Sequence, residues 1–313
     1  MTNNFSKQIL SEKIKNFAMQ EGFVDCGIAK PHLSEYVKSR FENWIDKKYH
    51  ATMDFMSRTV NIRSNPFMFF SDVKSIVVVL ACYNFGEVET KSKYKIARFA
   101  QGNDYHFIIK QRLNNFFDFI KIYCPDCKGI ATVDSMSVAE RYWATQAGLG
   151  FIGQNNMLIH NKYGSWVLIG TLFLDIELEY DKPNNDSCLK CGKCIKSCPG
   201  NALSPYCLDA NKCITYHTIE NRVCHTGKKR LDFKNQIFGC DICNQVCPHN
   251  QSVLISKDLQ FKPNPQLLNM TDNDWLLLGN SQFRKYFSKS PLKRMNIKDI
   301  RRNIGNVEYF LEE

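Results

Sequence analysis

The chain has 313 residues, 44% of them hydrophobic and 23% charged, which excludes a disordered, collagen-like or coiled-coil protein and suits one large globular domain or two ordinary ones. Lys and Arg outnumber Asp and Glu by 41 to 31, so an anionic partner is expected. The excess is local: Gln282 to Arg302 carries eight basic residues against Asp299 alone, and Arg222 to Lys234 carries five against Asp232.

In chain order, Phe5, Ile9, Leu10, Ile14 and Phe17 recur at helical spacing, and Gly22 lies where that helix would stop. A strand is expected over Phe23 to Ala29, a helix over 34–48, and a strand over Lys74 to Leu80, which is β-branched and apolar on both faces. A helix over Asp104 to Ile122 and a strand over Gly129 to Val133 follow. Ser137 and Glu140 have capping-box spacing, which starts a helix over Val138 to Ala147 and leaves Asp134 at a strand-to-helix junction facing a cleft. Asn156 to His160 and Ser165 to Leu174 read as a hairpin around Lys162-Tyr163-Gly164. The longest apolar runs, Ser75 to Cys82 and Val167 to Leu174, fall far short of the roughly 18–20 residues that span a bilayer. The residues from Met1 to Lys7 show no export signal. The expected location is the cytosol, where clustered thiols are metal ligands rather than disulfides.

Ten of the fourteen cysteines lie between Cys188 and Cys247. Cys188-x2-Cys191-x2-Cys194-x3-Cys198-Pro199 is the bacterial ferredoxin run, in which three thiolates hold one 4Fe–4S cluster and the fourth reaches a second. Cys240-x2-Cys243-x3-Cys247-Pro248 repeats its last three positions, with Ile237 where the first cysteine would stand. By the cross-over rule, Cys188, Cys191, Cys194 and Cys247 take one cluster, and Cys198, Cys240, Cys243 and a replacement take the other. Cys207, Cys213 and Cys224 are the candidates for that replacement, with Cys213 favoured. Structural zinc is the competing reading, although zinc modules do not need this run ending twice in Cys-Pro. Two clusters form a wire, and a wire implies a redox centre in the preceding 180 residues. Gly148-Leu149-Gly150-Phe151-Ile152-Gly153 fits G-x-G-x-x-G, but a helix precedes it and a strand follows, the reverse of a dinucleotide site. Those glycines are read as a tight helix-to-strand connection. Cys124 and Cys127 are read as a structural pair, and Cys26 and Cys82 as small core residues.

Five separated stretches then resemble epoxyqueuosine reductase. They are Met53 to Arg58, Ala97 to His106, Val133-Asp134-Ser135 with Glu140-Arg141, Ala147 to Asn155, and the ferredoxin run continued by Asp209 to Tyr216 and Gly239-Cys240-Asp241. The likeness runs from about residue 5 to residue 305. Asn103 replaces the arginine usual in the Gly-Arg-Asp-Tyr-His form of the motif. The chain stops at Glu313, a short form without the C-terminal helical repeat of longer members.

The resemblance implies an α/β (α+β) protein: a nitroreductase-like cobalamin-binding domain over 1–180, a ferredoxin-like domain with two 4Fe–4S clusters over 181–258, and a basic helical tail over 259–313. It implies reduction of epoxyqueuosine to queuosine at the wobble position of tRNA, with base-off cobalamin and the two clusters as cofactors. Cys213 matches the family's replacement ligand. Asp134 matches its proton donor, and burial beside the corrin would favour the protonated carboxyl. Arg58, Tyr105, His106, Asn155, Asn156, Leu158, Ile169, Thr215 and Asp241 carry over as corrin or cleft neighbours. The tRNA anticodon stem-loop would meet Arg222, Lys228, Lys229, Arg230, Lys293, Arg294, Arg301 and Arg302. The further expected partner is a small electron-donor protein such as flavodoxin or ferredoxin, and the chain is expected to be a monomer. Another cobalamin-dependent iron–sulfur reductase, such as a reductive dehalogenase, is the alternative enzyme, and a bare electron-transfer module the non-catalytic one.

Overall fold

All eight residues of Ser75–Cys82 are buried, as a continuous β-branched run must be when both faces of its sheet are covered. The computed structural model describes residues 6–222 and 231–312. Its central sheet comprises β1 (Asp25–Ala29), β2 (Ser75–Cys82), β3 (Gly129–Thr132) and β4 (Val167–Leu174), in the order β1-β2-β4-β3, with every pair antiparallel. The period of two sorts β2 into two cores. Val77 and Val79 pack with Ile14 of α1 (Lys7–Gln20) and with Ile109, Leu113 and Phe116 of α2 (Tyr105–Tyr123). Ile76, Val78 and Leu80 face the other way, onto Trp143 and Ala144 of α3 (Glu140–Gln146). Helices thus cover both faces of an antiparallel sheet, an α+β sandwich.

The expected hairpin is absent. Leu158–Ile159 pairs with Phe151–Ile152, only a bridge joins His160 to Gly164, and β4 enters the central sheet between β2 and β3. A strand whose sequence is apolar on both faces gains more from that central slot than from a two-stranded ribbon. The glycine-rich stretch does connect a helix to a strand. Gly150 has φ 143, and a Cβ there would lie 2.3 Å from the Ile159 carbonyl oxygen, so only glycine lets the two segments approach.

The segment expected as a tail is helical but shares a core with the rest of the chain. α4 (Asp272–Leu277), α5 (Asn280–Phe287) and α6 (Ile297–Glu312) bury Trp275, Phe283, Phe287, Ile300 and Ile304 against Tyr94, Ile96, Phe233, Ile237 and Phe238. Residues 94–100, the cysteine-rich region and the C-terminal helices therefore form one apolar unit. Among the described residues, no helix is long and apolar enough to cross a membrane.

Candidate active site and cluster cradles

β3 ends at Thr132, and two residues later Asp134 takes φ 49, a left-handed conformation uncommon for a residue with a Cβ. Glu140 holds it there. Its Oε1 accepts the Asp134 backbone N–H at 2.7 Å, so Glu140 turns back to Asp134 instead of closing the expected capping box with Ser137, and α3 starts at Glu140 without a side-chain cap. Burial, followed by the nearby charge of Asp134, pushes the Glu140 carboxyl up to about 8.

The Asp134 side chain is 53% exposed and receives two donors on one oxygen. Tyr105 Oη–H donates to Oδ2 at 2.5 Å, and His106 Nε2 lies 3.2 Å from the same atom. Both donors come from the first turn of α2, which Asp104 caps by accepting the His106 N–H. Asp104 Oδ1 also bonds His106 Nδ1 at 2.8 Å, and Lys293 Nζ meets Asp104 Oδ2 at 2.7 Å. The result is one chain, Lys293–Asp104–His106–Asp134.

This chain fixes the protonation states. Burial alone would lower the imidazole, but the bonds to Asp104 and Asp134 outweigh it and raise His106 to about 9. Burial alone would raise the Asp134 carboxyl, but the bonds from His106 and Tyr105 outweigh it and hold Asp134 below its ordinary value. The expected protonated Asp134 depends on burial beside a corrin, whereas His106 and Tyr105 by themselves pull its carboxyl the other way. Both shifts favour a carboxylate on Asp134 facing an imidazolium on His106. Asp104 was not singled out from the sequence, although an Asp directly before an apolar helical run is an N-cap signal.

The eight thiols fall into two sets. Cys188, Cys191, Cys194 and Cys247 line one open space of about 300 Å³ together with Gln154 and His249. Cys198, Cys213, Cys240 and Cys243 form the second set, each close enough to perturb another member electrostatically. The sets coincide with the cross-over assignment. Cys207 stands on a two-residue strand outside both, and Cys224 lies outside the described residues. Each set fits a cubane. Among the described residues no three His, Cys, Asp or Glu side chains converge on a single ion, whereas a cubane spreads its thiolates over four irons. Gln154 Oε1 and His249 Nε2 are buried without a partner beside the first set, positions from which a cluster could be contacted. Burial drives Cys240 up to about 12 and Cys243 well above the ordinary thiol value, a cost that iron coordination would offset by stabilising the thiolates.

The other expected site residues are scattered. Arg58 is exposed, with no carboxylate within ion-pair distance among the described residues. Asn155 is buried beside the first thiol set and donates to Asn244 Oδ1 at 3.2 Å, which makes it part of the joint between the two halves. Asn156 adopts φ 62, and its carbonyl accepts a bond from Arg141. Leu158 is a core residue and Ile169 is half-buried in β4. Thr215 lies two residues after Cys213, and Asp241 is buried between Cys240 and Cys243, accepting the Arg98 N–H at 2.7 Å.

The basic residues separate into two groups. Arg222 pairs with Asp299 at 2.6 Å, and Arg302 is 12% exposed and donates to the Asn221 and His217 carbonyls. These two tie α6 to the cysteine-rich region. Arg301 donates to the Leu278 carbonyl but is otherwise exposed. Lys293 reaches Asp104, and Arg294, paired with Glu220 at 2.7 Å, lies close enough to Asp134 to help hold its carboxyl down. Lys228, Lys229 and Arg230 lie outside the described residues.

Comparison with known proteins supplies a family. Residues 63–135 match the model described as "Epoxyqueuosine reductase QueG", and residues 187–250 match a 4Fe–4S double cluster binding domain. An epoxyqueuosine reductase of Cellulophaga algicola is 36% identical over 300 residues, covering 96% of this chain and 98% of its own. A crystal structure of epoxyqueuosine reductase with a tRNA-Tyr epoxyqueuosine-modified stem loop superposes with a TM-score of 0.84 at 25% identity, covering 96% of this chain and 81% of that one. A structure from Bacillus subtilis, with its aspartate catalytic loop swung out of the active site, gives 0.83 at 25% identity, covering 96% and 82%. A B12-dependent reductive dehalogenase, 17% identical with a TM-score of 0.50 over 80% of this chain and 33% of its own, shares the fold alone.

Proposed function

The chain belongs to the epoxyqueuosine reductase family, and from that premise we propose that it reduces the epoxide of epoxyqueuosine to the alkene of queuosine in the anticodon loop of tRNA, using two 4Fe–4S clusters and a corrinoid. The observation that carries this reading is a partly open carboxylate, Asp134, with the His106 imidazole 3.2 Å from it, in a chain with two four-thiol cradles.

Removing the epoxide oxygen as water takes two electrons and two protons. When bound, the corrinoid supplies the low-potential cobalt through which those electrons reach the substrate. Its contacts would include the unpaired Arg58 and, beside the second thiol set, Thr215 and Asp241. Cys188, Cys191, Cys194 and Cys247 would hold one cluster, and Cys198, Cys213, Cys240 and Cys243 the other.

The chain's own work is proton supply. Asp134, ionised at rest, takes a proton from His106 through the 3.2 Å contact and passes it to the oxygen leaving carbon; solvent reprotonates His106, and the same route delivers the second proton that completes water. Asp104 keeps the imidazole oriented and charged, and Tyr105 fixes the receiving oxygen. Glu140, held at about 8, is a second proton store beside the same residue. Asp134 is thus a conduit whose acid form is made on demand. The relative with its aspartate loop swung out supports a loop whose position depends on few contacts, here the Glu140 latch and the two α2 donors.

The tRNA partner is proposed to approach over Lys293, which pairs with Asp104, and Arg294, which helps hold Asp134 down, with phosphates competing against the carboxylates for these cations. Arg222 and Arg302 shape that surface from beneath. A one-electron donor protein, a monomeric state and a cytosolic setting complete the proposal.

Anaerobic reconstitution tests it. The protein should take up about eight irons and one corrinoid and convert an epoxyqueuosine stem loop to queuosine. Zinc in place of iron, or no corrinoid uptake, would overturn the reading.

A further inference from the structure

The two thiol sets differ in how they meet solvent. Cys191 is the one exposed cysteine among the described residues, and it belongs to the first set. No thiol of the second set is exposed, and that set lies against buried Asp241 and Tyr83. Lys190 and Gly192 take left-handed backbone angles, φ 53 and 71, on either side of Cys191 and turn this segment outward. Leu189 is 63% exposed there.

Lys190, Lys193 and Lys196 lie within five residues of the same thiol in sequence, all exposed, and none has a carboxylate within ion-pair distance among the described residues. Arg222, Lys293, Arg294 and Arg302 behave oppositely, each held by an acidic partner of this chain. An exposed apolar side chain among cations unpaired within the described residues, in the segment that carries the exposed thiol, has the composition of a small, salt-sensitive, transient electron-transfer interface.

We propose that the face formed by Leu189, Lys190, Lys193 and Lys196 docks an acidic one-electron carrier protein of the flavodoxin or ferredoxin class, and that electrons enter at the first cluster. This rests on the two-cluster reading above. In each encounter the reduced carrier is oxidised by one electron and the first cluster is reduced by one, with no proton moved here. Two encounters supply one epoxide reduction. Docking of tRNA on this face is disfavoured because the loop must reach Asp134, close to which Arg294 lies and behind which Lys293 pairs with Asp104.

The test compares reconstituted wild type with Lys190→Glu/Lys193→Glu/Lys196→Glu. Four readouts are taken: iron content, turnover driven by chemically reduced methyl viologen, Kd and KM for flavodoxin across ionic strength, and Kd for the stem loop. Expected are unchanged iron, viologen turnover and stem-loop Kd. Flavodoxin Kd and KM should rise about 10-fold or more and lose their salt dependence, as loss of electrostatic steering requires. Unchanged flavodoxin Kd and KM would overturn the proposal, as would a weakened stem-loop Kd with flavodoxin binding intact. If the reversed charges lower iron content, Lys190→Gln/Lys193→Gln/Lys196→Gln decides by the same flavodoxin Kd and KM. Failure of the two-cluster reading itself would show separately, as wild type lacking iron or viologen-driven turnover.

Discussion

Asp134 illustrates how a single residue's chemistry depends on partners far away in sequence. Its place after a strand is legible from Gly129 to Val133, and its proposed role from the surrounding motif. Its ionisation is not, because the two donors come from residues 28 and 29 positions earlier and the latch from Glu140. The same arrangement sets a pH dependence. His106 is raised from 6.5 to about 9, so its ion pairs stabilise the fold fully below pH 6.5 and are lost as pH rises through about 9. Proton supply follows the same sign: turnover should be sustained at neutral pH and fall as pH climbs from about 8 through about 9, where Glu140 and His106 lose their protons. Asp104→Asn removes one of the two acceptors that keep the imidazole charged, so the alkaline limb of the kcat profile should move to lower pH. An unmoved limb would remove His106 from the proton path.

The elements divide by how local their signals are. The strand over 75–82 and the helix over 105–123 are written in continuous apolar or periodic sequence, and the reading over 74–80 and 104–122 starts one residue early in each and ends two and one residues short. The placement of β4 is non-local, since no feature of Val167–Leu174 names β2 and β3 as its neighbours, and a hairpin was the nearer inference. The cysteine-rich elements carry their grouping in spacing alone, apart from the replacement ligand. Gly200 shows how that ligand is brought in. A Cβ there would lie 1.9 Å from the Lys212 carbonyl oxygen, so this glycine lets the turn after Cys198 close onto the residue before Cys213. Gly200→Ala should therefore separate two thiols of the second set. Both it and Cys213→Ala should lower iron from about eight to about four per chain while the first cluster keeps its spectroscopic signature. Full iron content in Cys213→Ala would return the choice to Cys207 or Cys224.

For the whole molecule, the charge excess over Gln282 to Arg302 is only partly a surface for a partner. Arg302 is spent on structure, and Asn303, fully buried, donates to the Thr218 and Ile237 carbonyls. Together they weld α6 to the strand and turn that precede Cys240. Composition could place the charges but not show which were already neutralised, because the neutralising groups, Glu220 and Asp104, sit far away in sequence. Asn303→Leu strands two buried carbonyls and should destabilise the protein by roughly 1–3 kcal/mol, visible as a lower Tm with the stem-loop Kd little changed at permissive temperature. Lys293→Gln/Arg294→Gln should weaken the stem loop most at low salt, with some fall in Tm because Asp104 and Glu220 lose their cations.

The central claim is that Asp134, recharged by His106, protonates the departing epoxide oxygen. It is tested most directly by nucleoside analysis of an epoxyqueuosine stem loop incubated with reconstituted wild type or Asp134→Asn protein, each assayed for iron and corrinoid. Both proteins should hold the full cofactor complement, with queuosine formation in Asp134→Asn reduced roughly 10²–10⁴-fold. Undiminished turnover by a fully loaded Asp134→Asn protein would contradict it.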